Sequence, residues 1–144
     1  MVFLPLTSLT FHNFFDKGYI FSKISGVLLL NYTIWLLSSL KILPFDEYTI
    51  FSLLGSFLIL NIYIAVKTNF ISIIKKHWKV FLFEEILFLG GLLFWSFIRA
   101  HEPSIHGLEK YMDFGFINSI LRSEYFPPKD LWLSGETINY YYFG

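Results

Sequence analysis

The sequence predicts an all-α, polytopic integral membrane protein. It should have about three transmembrane helices and an extracytoplasmic loop bearing a short amphipathic surface helix. Two observations carry the prediction. Hydrophobic residues make up 55% of the chain and charged residues only 15%, against roughly 25% charged in a typical globular domain, and mean hydropathy is +0.56. Three apolar stretches also approach the roughly 20 residues that a bilayer core requires. A chain of 144 residues with 18 Phe, 9 Tyr and 4 Trp cannot hide so much apolar surface in its own interior. Lipid removes the need.

Residues 1–23 open with "MVFLPLTSLTFHNFF", apolar but short and interrupted by polar groups. They read as a cytoplasmic or interfacial segment, or as the stub of an earlier helix. They lack the basic start of a cleaved signal peptide, and Pro5 breaks the apolar run. The first span is expected over about 24–40, between Lys23 and Lys41, and the second over about 48–66, followed by Lys67. The third is expected over about 80–98, closed by Arg99.

Lysine placement sets an orientation. The connection 67–79 holds Lys67, Lys75, Lys76 and Lys79 without an acid, whereas 41–47 balances Lys41 against Asp46 and Glu47. Basic loops stay in the cytoplasm. The amino terminus, with Lys17 and Lys23, is therefore expected inside, and residues 99–144 outside. The third span also carries Glu84 and Glu85 near its inner end. They either reach back to the cytoplasmic headgroups or form a buried carboxylate paired across helices. Successive side chains leave a helix about 100° apart, so the two cannot share one partner face. The adjacent Gly90 and Gly91 would permit close helix packing.

Formal net charge is zero, which removes the basic field that nucleic-acid binding needs. With no cysteine, disulfides, thiolate catalysis and cysteine metal sites are excluded. No phosphate-binding glycine loop, nucleophile elbow or zinc spacing occurs. Chemistry is therefore sought in 99–144. Pro103 closes the third helix, Ser104 would cap a new one over about 105–124, and Pro127-Pro128 break it. On a helical wheel Glu109 and Asp113 share a face that Phe116, Ile117 and Ile120 continue. Tyr111, Asn118, Ser119 and Arg122 take the other side. Acids on a packed stripe suit general-base work, while acids in a first turn also complement the helix dipole. Lys110 and Arg122 are candidate phosphate partners. His101 and His106 stand five apart without a third ligand, so no metal ligand is assigned. Trp132, Tyr140, Tyr141 and Tyr142 fit an outer aromatic belt, and the same rings could stack on a sugar or hold a lipid phosphate.

The run "EKYMDFGFINSILRSEYFPPKDLWLSGETINYYYFG" resembles the YYY membrane protein family of archaea and Chloroflexi-type bacteria, marked by its triple tyrosine. The upstream strings "FFDKGYIFSKISGVLLLNYTIWLLSSL" and "EEILFLGGLLFWSFIRAHEPSI" look like that family's opening helices. The family is similar to C-type glycosyltransferases, which use polyprenyl-phosphate-linked sugars. The resemblance implies that Asp113 is the general base or a ligand of a divalent metal ion, with Glu109 in support. The spacing Glu109-Lys-Tyr-Met-Asp113 departs from the adjacent acidic pair of better-known members, so which carboxylate acts stays open. Asn139 to Tyr142 would line the floor of the site. Lys110, Arg122, Asp130 and Trp132 complete the implied substrate-binding set. The implied partners are the bilayer, a lipid-linked sugar donor and the remaining helices of a longer parent, with this chain an amino-terminal fragment inactive alone. Two other readings stand beside this one. The first is a non-catalytic membrane protein that binds lipid-linked glycan or scaffolds a partner. The second is a transport component that uses Glu84 or Glu85.

Overall fold

The computed structural model describes residues 2–102 and 110–139. Their secondary structure is helical, with no strand beyond one isolated antiparallel bridge between Lys129 and Thr137. Five helices follow in order: α1 (Leu4–Thr10), α2 (Tyr19–Ser39), α3 (Glu47–Lys67), α4 (Phe70–Ala100) and α5 (Lys110–Arg122). Helices α2, α3 and α4 are long and apolar enough to cross a membrane. At 1.5 Å per residue, 21 residues reach about 31 Å, the thickness of a bilayer core. The chain is thus a multi-pass membrane protein.

Local chemistry sets the ends of these helices. Gly18, at φ +76°, turns the chain into α2, and Lys41, at φ +57°, turns it out. Asp46 caps α3: its Oδ1 accepts the Thr49 amide at 2.7 Å. Thr49 is the third helical residue, one of the positions where an amide lacks an intrahelical partner. Glu47 in the first turn and Lys67 in the last complement the dipole of the same helix.

The third span is longer than its apolar stretch. Helix α4 begins at Phe70, ten residues before the expected start, and runs for 31 residues. The segment "FISIIKKHWKV" has no glycine or proline to stop a helix. Lysines exclude it from lipid, not from helical structure. At about 46 Å, α4 exceeds the hydrocarbon core by several turns. Only Thr68 and Asn69 separate it from α3, and Asn69 sits at φ +47°. The expected loop 67–79 is therefore mostly helix. Likewise α2 begins at Tyr19, so Lys23 lies inside it rather than beyond its end.

The chain divides into two compact units. One comprises Met1–Leu29 and Leu54–Pro103; the other comprises Leu30–Leu53 and Ser104–Gly144. In the first unit, Leu4, Tyr19, Phe70 and Phe81 form the buried cluster, with Ala65 and Ile73 against it. The opening segment is a short helix with Pro5 in its first turn, where proline is tolerated. The Leu6 amide donates to Asn61 Oδ1 on α3 at 3.0 Å. The Phe3 ring lies 5.1 Å from that of Phe57. Gly26 makes room for Phe3, since a Cβ there would stand 2.7 Å from its Cδ2. Gly90 and Gly91 serve no such contact: nothing lies within 4 Å of a Cβ built at either. Close helix packing expected at that pair is absent among the described residues.

Candidate functional site

In the second unit, α5 packs against the segment that follows it. Ile138 donates its amide to the Pro128 carbonyl, and Asp130 to the Glu136 carbonyl, both at 2.9 Å. These bonds fold 128–138 into a hairpin-like turn that needs Gly135 at φ +96°. The Ser119 hydroxyl of α5 donates to the Lys129 carbonyl. Gly115 lets the hairpin approach, because a Cβ there would come within 2.7 Å of Leu131 Cδ1. Phe116, Phe126, Pro128 and Ile138 are buried. Phe45 joins them through its ring, 5.1 Å from that of Phe126, and through an amide bond to the Glu124 carbonyl at 2.6 Å.

This packing corrects the expected stripe of α5. Its covered side runs through Met112, Gly115, Phe116 and Ser119, whereas Asp113 and Ile117 are exposed. Ser119, placed on the open side by the wheel, is buried. The physical cause is that α5 has apolar residues on two sides. The hairpin covers the side whose small residues, Gly115 and Ser119, allow close approach. Asp113 is therefore not desolvated by protein. It stands exposed in the first turn, beside a second apolar stripe of Phe114, Ile117 and Leu121, exposed by 60%, 54% and 70%.

The other sequence-derived residues fall into distinct roles. Asp130 Oδ1 accepts the amides of Trp132 at 2.7 Å and Leu133 at 3.0 Å, so that carboxylate shapes the turn. Trp132 meets Phe116 edge to face at 5.5 Å and keeps 65% of its surface open. Lys110 precedes Asp113 by three residues and shares its end of α5. Arg122 closes the helix, about 18 Å from Lys110 along the axis, so the two cations do not converge. Asn139 is exposed beside the buried Ile138. Glu109, His106 and Tyr140 to Tyr142 lie outside the described residues. Among those described, no three His, Asp or Glu side chains gather as a metal site. His101 Nδ1 lies 2.8 Å from the Phe97 carbonyl.

The first unit holds a polar constellation that the sequence reading met only in part. Glu85 Oε2 accepts the Tyr19 hydroxyl at 2.7 Å and pairs with the Lys23 ammonium at 2.6 Å. Tyr19 stacks on Phe81 at 4.7 Å, and Lys23 Nζ sits 3.8 Å from the centre of the Phe88 ring. Of the two expectations for the glutamates, pairing across helices holds for Glu85. Glu84 faces elsewhere and is buried. A groove of about 390 Å³ runs beside Glu85, lined by Tyr19, Ile74, Trp78, Phe81 and Leu82. Tyr19 and Lys23, four apart on α2, were the available signal: one helical face offering two donors.

A family model of an uncharacterized membrane protein, DUF2298, matches residues 29–144. No curated protein and no solved structure matches the chain.

Proposed function

We propose that this chain, which belongs to the DUF2298 family of uncharacterized membrane proteins, serves sugar transfer at the outer membrane surface from a polyprenyl-phosphate-linked donor. The observation that carries this reading is the exposed Asp113 carboxylate beside the exposed stripe of Phe114, Ile117 and Leu121. Such a stripe beds a helix in the lipid interface. A carboxylate at that depth meets a donor whose phosphate lies among the headgroups. Asp113 takes the proton of the acceptor hydroxyl as its oxygen attacks the anomeric carbon. The bond from that carbon to the phosphate oxygen breaks, and the lipid phosphate leaves as an anion. Lys110, one turn from Asp113, supplies positive charge for that anion. A divalent metal ion, were one bound, would be held by Asp113 with Glu109 and would supply positive charge for the leaving phosphate.

The test is Asp113→Asn in the intact protein, assayed for transfer from a lipid-phosphate sugar. Loss of roughly 100-fold or more in rate is expected for a missing general base. Unchanged product would remove the catalytic assignment.

A second reading, non-catalytic binding of lipid-linked glycan, is favoured by Trp132. Its backbone amide is held by Asp130 and its ring meets Phe116, yet the residue is largely open, which suits stacking on a sugar. In that case Trp132→Ala abolishes glycan binding and Asp113→Asn leaves it intact.

A further inference from the structure

Two adjacent glutamates of α4 stand in opposite surroundings. Glu85 has two hydrogen-bond donors, Tyr19 and Lys23. Glu84 is 6% exposed, and its Oε2 has no hydrogen-bond partner. The charged groups that act on Glu84 from neighbouring elements are Asp16, before α2, and Lys23, within α2. Lys23 is committed to Glu85 and to the face of Phe88. Tyr19, also within reach, donates to Glu85. Lys17 turns its ammonium to the His12 carbonyl. Asp16 is itself 5% exposed, with Oδ1 receiving the Gly18 amide.

Glu84 and Asp16 are thus two buried carboxyl groups, and the Lys23 ammonium that acts on Glu84 is taken by Glu85. A bare carboxylate away from water is strongly disfavoured, and two carboxyl groups in one site do not both ionise readily. A hard metal cation such as calcium would need about six to eight oxygen ligands, and among the described residues no three His, Asp or Glu side chains gather to begin such a shell. A proton needs one. We propose that Glu84 and Asp16 form a proton-binding site within the membrane protein, holding one exchangeable proton on Glu84. Ionisable groups inside spanning segments commonly mark proton relays. The site does not depend on the role of Asp113.

The experiment is infrared difference spectroscopy of the protein in lipid nanodiscs at pH 7. Wild type minus Glu84→Gln is expected to show the carbonyl band of one protonated carboxyl group, and Glu85→Gln is expected to leave that band in place. Asp16→Asn, which removes the like charge, should diminish it. Absence of the band in wild type overturns the proposal, as does a band unchanged by Glu84→Gln. Loss of the band on adding sodium at constant pH also overturns it, because the site would then hold a metal cation.

Discussion

Tyr19 and Glu85 are 66 positions apart, yet the phenol donates to the carboxylate at 2.7 Å. Lys23 joins the same oxygen at 2.6 Å. One face of α2 thereby holds one face of α4, with the Tyr19 ring stacked on Phe81 behind it. Tyr19→Phe keeps the stack and deletes the bond. It should destabilise the protein by about 0.5–1.5 kcal/mol, read from unfolding in mixed micelles. Lys23→Met and Glu85→Gln should couple by about 0.5–3 kcal/mol in a double-mutant cycle. Simple additivity would mean that the pair does not hold the helices.

Glycines separate into those that matter and those that do not. Gly26→Ala drives a methyl group into the buried Phe3 ring and should cost about 1–3 kcal/mol. Gly90→Ala and Gly91→Ala meet no neighbour and should each add about 0.5–1 kcal/mol from helix propensity. Thermal unfolding in one detergent ranks all three. A strong loss at Gly91 would indicate a helix packed there.

Asp46 gives a pH prediction. The Thr49 amide, and after it the Thr49 hydroxyl, hold its carboxyl below the usual carboxylate range. A carboxyl group lowered on folding contributes stability that is complete above its unfolded value and lost as pH falls through the folded value. Protection of the Thr49 amide, corrected for intrinsic exchange, should be flat from neutral pH down to about 4 and then fall. Asp46→Asn, an equally good cap, should flatten that acid limb. An acid limb unchanged in Asp46→Asn would assign it to another group.

The spans were legible because apolar length is a one-dimensional property: α2, α3 and the core of α4 stand out in the chain itself. The extension of α4 through Lys75, Lys76 and Lys79 was hidden, since charge reports what lipid excludes and not where a helix stops. The covered side of α5 was hidden for another reason. Phe116 and Ile117 are both apolar and lie on different sides, and only the close approach of Leu131 to Gly115 decides between them. That the two glutamates could not share a partner followed from helical geometry. That Lys23 would be the partner depends on how α2 packs on α4, which sequence spacing does not encode.

Trp132 offers a test of the turn that follows α5. Asp130→Ala frees the amides of Trp132 and Leu133 and should cost about 1 kcal/mol, loosening the turn without touching α5. Proteolysis within 130–135 should accelerate in this variant. Resistance equal to wild type would show that the hairpin bonds and Gly135 suffice to hold the turn.

The central claim is that Asp113 stands outside, at headgroup depth, with the stripe of α5 in lipid. The chain has no cysteine, so single replacements report cleanly. In intact cells, Asp113→Cys should react with a membrane-impermeant maleimide. An environment-sensitive fluorophore on Ile117→Cys should report an apolar medium in vesicles. Labelling of Asp113→Cys only after permeabilisation, together with a water-like signal from Ile117→Cys, would contradict the account.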